Sequence, residues 1–224
     1  MRKVILIISL LTLSLASFPI ERTDSVAPWH RYDSIYQGIF IRLDLLMPIV
    51  EAGRSSWQMQ NYEMAASVRL KDRFYPTLEG GYAFGKWDRD NSGYVGKGGF
   101  MRVGMDFNGL RKSAKGKSAF MVGVRLGTAF QQYDLTDLTE YSIEDLTLLS
   151  RHHHSCHRAD VWGEVLIGCN VHIAGDFYMG WAGRLKFLMT RKQKGDTPLP
   201  TYIPGYGTWN ETGWGVNYYI SWRF

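Results

Sequence analysis

Imidazole and thiol groups are concentrated in one stretch in the third quarter of the chain. His152, His153, His154, Cys156 and His157 lie close together, and both group types are good ligands for zinc and copper. Their spacing matches no established zinc site, such as those built from paired C-x-x-C elements. A polar, His-rich loop without a ligand is the better-supported interpretation, so we expect no bound metal and no cofactor.

Hydroxyl and carboxyl groups fall in the same predicted loop and raise the alternative of an enzyme. Asp134, Asp137, Ser150 and Ser155 accompany the histidines, and a hydrolase or acyltransferase at the rim of a barrel could use such groups. The chain contains no G-x-S-x-G nucleophile elbow and no H-E-x-x-H metalloprotease motif. Loops rich in these residue types are common. We therefore assign no catalytic residue and interpret the protein as non-enzymatic.

Two further predicted loops carry groups that can bind a ligand or a partner. The loop 86–97 contains Asp88 and Asp90, which can ligate calcium but are explained more simply by a solvated hairpin tip. The loop 191–212 combines prolines with Tyr and Trp side chains, and stiff aromatic surfaces bind partners at low entropic cost. We expect this second loop to bind a partner or, alternatively, to fold over the mouth of a barrel.

The beginning of the chain has the layout of a secretory signal peptide. Two basic residues precede an apolar run from Val4 to Leu15, and small residues stand at −3 and −1 of a cleavage site after Ala16. The run is too short for a transmembrane helix, which needs about 20 apolar residues. We therefore predict a signal peptide over 1–16, a periplasmic segment over 17–35 and an outer-membrane β-barrel domain over 36–224.

The dominant pattern after residue 35 is an alternation of apolar with polar or small residues, which is typical of β-strands. Most of these segments are long enough for a tilted strand to cross a bilayer, which takes about 9–11 residues. Eight is the smallest common size of an outer-membrane barrel, so we predict an all-β, eight-stranded antiparallel up-and-down transmembrane β-barrel. The predicted strands are roughly 36–47, 60–70, 74–85, 98–107, 118–130, 159–172, 176–189 and 213–224.

The apolar face of these strands is expected to point outward, to lipid. Placed inside, its many aromatic side chains would overfill a barrel whose interior is just wide enough for side chains. The opposite face alternates charged residues with glycine and alanine, which suits a narrow interior and gives no advantage on a solvated exterior. A soluble, lipocalin-like barrel with the apolar face inward is the alternative. In lipid the sheet must close, so the last strand must pair with the first.

The alternation assigns seven basic and five acidic side chains to the barrel interior. The simpler hypothesis is a plug of interlocked ion pairs, because a buried charge costs several kcal/mol unless it is paired. The alternative is a polar conduit or an anion site that uses the excess of positive charge. We expect the plug, and with it very low conductance. The twelve are Arg42, Asp44, Glu63, Arg69, Glu79, Arg102, Asp106, Arg125, Glu164, Arg184, Lys186 and Arg223.

The two cysteines, Cys156 and Cys169, are not expected to form a disulfide. Most of the residues between them belong to one predicted strand, which at about 3.3 Å per residue places them roughly 40 Å apart. A disulfide needs Cα atoms within about 7 Å.

Three sequence runs resemble an uncharacterised family of outer-membrane barrel proteins of the Bacteroidetes type. The resemblance extends over nearly the whole chain after the signal peptide. It implies the location and the fold but no activity and no site residue. The runs are Tyr75-Pro-Thr-Leu-Glu-Gly-Gly-Tyr82, Gly180-Trp-Ala-Gly-Arg-Leu-Lys186 and Tyr202-Ile-Pro-Gly-Tyr-Gly207, the last of which leads into Trp214-Gly-Val-Asn-Tyr218.

These patterns favour a non-enzymatic outer-membrane barrel that serves as a scaffold or partner subunit. Its expected partners are the outer-membrane lipid and envelope proteins, which it would contact through external loops or periplasmic turns. Without the signal peptide the chain has 24 basic and 21 acidic residues, which is not the excess expected of a nucleic-acid binder. A rim-located hydrolase or acyltransferase and a small pore are the alternatives.

Overall fold

The computed structural model describes residues 35–46, 59–71, 73–89, 92–109, 118–141, 148–190 and 200–224. The predicted signal peptide and nearly all of the predicted periplasmic segment lie outside them. The described strands are β1 (Tyr36–Asp44), β2 (Met59–Leu70), β3 (Phe74–Arg89), β4 (Ser92–Asn108), β5 (Ser118–Tyr141), β6 (Leu148–Ala174), β7 (Phe177–Leu188), β8 (Tyr202–Ile203), β9 (Gly207–Thr208) and β10 (Thr212–Arg223).

Eight of these strands form one closed antiparallel barrel, in the order β1-β10-β7-β6-β5-β4-β3-β2. Closure comes from the pairing of the first and the last strand, with Ile41 opposite Trp222 and Leu43 opposite Ile220. The prediction of eight antiparallel strands and of the pairing that closes them is confirmed. None of the described residues forms a helix of the length and apolarity that a membrane span requires.

The inward and outward faces are those that the alternation predicts. On β2, Glu63 and Ser67 are buried while Tyr62 and Met64 on the opposite face are exposed. Ten of the twelve predicted interior side chains are buried; the other two, Asp44 and Arg223, are partly buried near the ends of the barrel. Because the apolar face is the exposed one, a barrel with its apolar face inward, as in a lipocalin, is excluded for the described residues.

Two predicted loops are strands. The structure continues the pairing of β3 with β4 as far as Arg89 and Ser92, and that of β5 with β6 as far as Tyr141 and Leu148. The prediction of loops over 86–97 and, between the fifth and sixth predicted strands, over 131–158 is therefore wrong for the residues that the structure describes. The physical reason is that polar residues occupy both faces of these extensions, so the alternation on which the strand prediction depended is lost while the backbone pairing continues.

The extensions make the barrel asymmetric. β2 begins beside Gly85 and β7 ends beside Trp162, and of the residues that the structure describes only those of β3–β6 continue beyond these points. We call this projecting sheet the tall wall; it comprises residues 86–89, 92–97, 132–141 and 148–160. At about 3.3 Å per residue, β5 runs on for roughly 36 Å along the strand beyond Phe130. We call the barrel end at its base the mouth.

Candidate functional site

The barrel interior is organised around one carboxylate, Glu79 of β3. Arg184 Nη1 donates a hydrogen bond to Glu79 Oε2 at 2.7 Å, and Arg102 Nη1 donates one to the same oxygen at 3.0 Å. Arg125 Nε reaches Glu79 Oε1 at 3.1 Å. These four side chains come from four different strands and all are buried. Glu79 therefore links three guanidinium groups across the lumen.

Two further carboxylates complete the ion-pair layer. Glu63 accepts from Arg102 at 2.6 Å and lies 3.4 Å from Arg184. Glu164 lies 3.0 Å from each of the same two guanidinium groups and accepts the indole N–H of Trp162 at 2.6 Å. Each of these two arginines is thus shared by three carboxylates. A planar guanidinium with five donors is suited to this arrangement.

A second layer lies toward the barrel end that holds Ile35 and Phe224. Arg125 Nη2 is 2.7 Å from Asp106 Oδ1, and Arg42 Nη2 is 3.5 Å from Asp106 Oδ2. Thr77 lies between them, because its hydroxyl accepts from Arg42 and donates to Asp106. Arg125 contacts Glu79 as well as Asp106, so the two layers form one connected network.

The segment 200–209 closes the mouth above this network. The Gly205 carbonyl accepts Arg102 Nη2 at 2.6 Å and Lys186 Nζ at 2.7 Å, and the Tyr206 carbonyl accepts Lys186 Nζ at 3.0 Å. Lys186 thereby bonds to backbone oxygens of the segment. We call residues 200–209, which include the small sheet β8–β9, the plug.

Aromatic packing holds the plug against the inner face of the barrel. Ile203 and Tyr206 pack with Phe100 and Trp162, and the rings of Trp162 and Tyr206 meet edge to face. Tyr94 Oη donates to the Tyr202 carbonyl at 3.0 Å, and burial raises the pKa of Tyr202 to about 12. The loop 191–212 was expected either to bind a partner or to fold over the mouth. Its described part folds over the mouth and does not offer its tyrosines to a partner.

The remaining space in the lumen is small. One cavity of about 20 Å³ lies among Arg42, Glu79, Arg184 and Tyr219, and another of about 10 Å³ lies between Arg69 and Tyr178. A cavity needs at least about 10–15 Å³ to hold one water molecule. These two cavities are of the size of one or a few water molecules, so the described side chains around them form a packed ionic interior.

A comparison with protein-family models places the chain in a family. The model for a domain of unknown function, DUF6048, matches residues 1–224. The chain belongs to the DUF6048 family. Comparison with curated proteins gives no match. The expectation of an uncharacterised family is confirmed, whereas the Bacteroidetes lineage and the outer-membrane location stay predictions.

The His-rich stretch of this DUF6048 member lies in β6, and not in a loop. Neighbouring residues of a strand point to opposite faces, and accordingly Cys156 is buried while His157 is exposed. The side chains of His152, His153 and His154 lie outside the described residues. No group of three or more metal-binding side chains is found among the residues described.

The groups considered for an enzyme are distributed over β5 and β6. Ser155 stands directly opposite Asp134, and His157 follows two residues along on the same outward face. Ser150 pairs with Glu140 and Asp137 with His152, but their side chains are not described. No hydrogen bond joins Ser155 to His157, both of which the structure describes.

Two smaller expectations have different outcomes. Cys156 and Cys169 are both free, as predicted. The backbone of Asp88 lies in β3, but its side chain is outside the described residues, and Asp90 lies outside them altogether. The calcium alternative is therefore untested.

Sequence reasoning missed some interior ion pairs. Inside the barrel, Asp160 accepts from Arg158 at 2.8 Å and from Gln131 at 3.1 Å; at the barrel end, the partly exposed side chains of Arg223 and Asp176 pair at 2.6 Å. Arg158 also stacks on the Trp209 ring of the plug. Asp160 and Arg158 have the same parity as Glu164 on β6: Asp160 already lies in the predicted strand 159–172, and Arg158 is reached by continuing the alternation by one inward position.

Proposed function

We propose that this DUF6048 protein is a sealed, non-enzymatic outer-membrane barrel that anchors the tall wall at the cell surface as a docking site for an envelope partner. The observation that carries the proposal is the distribution of polarity: charges and ion pairs fill the inside, and apolar side chains cover the outside. In a water-soluble protein this distribution would expose a large continuous apolar surface, which marks a membrane or partner interface.

The dimensions of the apolar surface support a membrane. On β5 the outward residues are apolar or Thr from Phe120 to Phe130, which at the usual strand tilt corresponds to about 25 Å, the height of the lipid-facing band of outer-membrane barrels. Exposed aromatic side chains lie near both limits of this band, where membrane barrels carry aromatic girdles. They are Tyr62, Tyr82, Phe130 and Trp214 toward the mouth, and Phe74, Phe107, Trp222 and Phe224 toward the other end.

The partner site follows from an unpaired strand edge on the tall wall. Among the described residues, nothing pairs with β6 on the side away from β5 between Leu148 and Asp160. An exposed edge of this kind is a template for strand addition by another chain. The edge is rich in Arg and His, which favours a partner segment that carries carboxylates.

The membrane part of the proposal predicts insertion without conduction. The purified full chain is expected to stay with lipid vesicles after washing with urea and to need detergent for extraction. In planar bilayers it should show no current steps of porin size, because the ion-pair layers and the plug fill the lumen. Monodisperse protein in detergent-free buffer would contradict the location, and steady porin-size steps would contradict the seal.

The partner part predicts a loss of binding when one edge amide is removed. Val161 bonds with Met189 and Thr190, away from β5, so residues of the same parity, including Ser155, point their N–H groups to the free edge. Ser155→Pro should abolish cross-linking of a partner in native membranes and leave the β5–β6 pairing intact, since proline is tolerated at such edges.

Ser155→Ala is the matched control, because it keeps the amide and removes only the hydroxyl. A partner that cross-links equally to the Pro and Ala variants would contradict docking at this edge.

A second candidate, a lipid hydrolase at the rim, is favoured by one observation. Ser155, His157 and Asp134 share an outward face just above the apolar band, where ester groups of lipid lie. In this reading His157 accepts the Ser155 proton as the hydroxyl attacks an ester carbonyl, which requires the two side chains to move together. The same Ser155→Ala variant decides between the candidates, because it would abolish ester hydrolysis but not partner docking.

A further inference from the structure

A trench crosses the lipid-facing surface below the tall wall. Its volume is about 510 Å³, within the range of small-molecule sites, and it is open along one side. Tyr82 and Phe130 form its walls, and they are 49% and 67% exposed. The cross-strand register places Gly99 between these two rings and Ala159 on the far side of Phe130.

The trench exists because two lipid-facing positions carry almost no side chain. A Cβ placed on Gly99 would have Gly81 O as its nearest heavy atom, at 3.7 Å, which is ordinary contact. A larger residue therefore fits at this position without moving the backbone. The small residue is not required by packing within the barrel, and its effect is to leave an apolar gap between Tyr82 and Phe130.

Polar and basic groups line the end of the trench nearest the tall wall. Lys97 and His157 lie two residues along their strands from Gly99 and Ala159, in the next row of the same outward face, with Gln132 between them. Lys97 supplies a positive charge and three donors, and an imidazole has at least one N–H donor in either charge state. The charged groups of the next outward row are Lys86 and Asp134.

We propose that this trench binds an anionic, phosphate-bearing lipid of the surrounding leaflet, with an acyl chain between Tyr82 and Phe130 and the phosphate at Lys97 and His157. The proposal rests on the membrane location proposed above. Its basis is that one site joins an apolar gap of acyl-chain character to a cationic end at the height where lipid headgroups begin. Basic residues at such a depth are the usual recognition elements for anionic lipids.

The test is native mass spectrometry of the full chain in neutral detergent, with phosphatidylglycerol and phosphatidylcholine of identical acyl chains. Phosphatidylglycerol should be retained about fivefold or more over phosphatidylcholine, and Lys97→Gln with His157→Gln should remove that preference. Gly99→Leu fills the gap and should reduce binding of both lipids.

Matched controls are available elsewhere on the barrel. Gly80→Leu adds the same side chain on the lipid-facing side of β3 but outside the trench, where the nearest atom to a Cβ is Phe100 O at 3.6 Å. Lys71→Gln removes one exposed lysine charge at the opposite end of the barrel. Both variants should bind lipid as the wild-type chain does.

Equal binding of the two lipids would overturn the proposal, as would an unchanged Gly99→Leu variant. A lipid-independent dimer broken by Gly99→Leu would overturn it in favour of a second copy of the chain. A protein that inserts into vesicles but shows no lipid preference contradicts this inference alone. A protein that fails to insert contradicts the membrane location itself.

Discussion

Replacing Glu79 with Gln is expected to destabilise the barrel by about 3–5 kcal/mol, the usual cost of removing one partner from a buried ion-pair network. Three guanidinium groups contact this one carboxylate, at 2.7 to 3.1 Å. Glutamine has nearly the same volume but no charge, so packing is preserved while three buried cations lose a shared anion. Urea titration of the vesicle-inserted protein, followed by tryptophan fluorescence, measures the free energy of unfolding.

The control for this substitution is Glu211→Gln, because Glu211 is exposed between the plug and β10. Exposed charges contribute about 0–1 kcal/mol to stability, so the free energy of unfolding of this variant should equal that of the wild-type protein. A double variant that also carries Arg125→Gln restores the charge balance and should lose less stability than the two single substitutions together. A loss below about 1 kcal/mol for Glu79→Gln would show that the network does not hold the barrel together.

The core of this network was predictable because the barrel wall has two different environments. A narrow lumen selects small and charged side chains, and the outside selects large apolar ones, so alternation along each strand reports both faces. Glu63, Glu79 and Arg102 were placed by parity alone, and the structure confirms them as buried. Which carboxylate meets which guanidinium was not predictable, since that depends on the stagger between strands.

The tall wall was not predictable by the same reasoning. Beyond Phe130 the strand continues with Gln131, Gln132 and Tyr133, so neither face is clearly apolar and the period of two loses its meaning. What sustains β5 and β6 here is backbone pairing as far as Tyr141 and Leu148. Backbone hydrogen bonds can be made by almost any residue type, so they produce no pattern in the sequence. For this reason the sequence resembled a long loop.

The sequence left two alternatives open for the plug for a related reason. Its carbonyl groups at Gly205 and Tyr206 are the acceptors for Lys186, and any residue can supply a carbonyl. The sequence showed an excess of interior positive charge but not what would satisfy it. Prolines and tyrosines indicated a stiff aromatic segment, yet stiffness suits an exposed binding surface as well as an inserted one.

Substituting Gly205 with Ala is expected to expel the plug from the mouth. The backbone φ angle at this residue is +75°, where an L side chain is strained by roughly 1–2 kcal/mol. The added Cβ would also lie 2.5 Å from Cγ of the buried Phe100 ring, a separation that non-bonded carbon atoms do not adopt. The segment must therefore move, and the carbonyl hydrogen bonds to Arg102 and Lys186 are lost with it.

Chemical labelling of Lys186 measures this opening, because its amino group is buried only while the plug is seated. Labelling with an amine reagent, followed by peptide mass spectrometry, should be at least tenfold faster in Gly205→Ala than in Gly207→Ala. The second variant is a strict control: Gly207 also has a positive φ, +120°, but a Cβ there meets nothing within 4 Å. It shares the backbone strain without the overlap. Fast labelling of Lys186 in both variants would mean that backbone strain alone opens the mouth. Slow labelling in both would mean that the Phe100 ring moves aside and the plug stays in place.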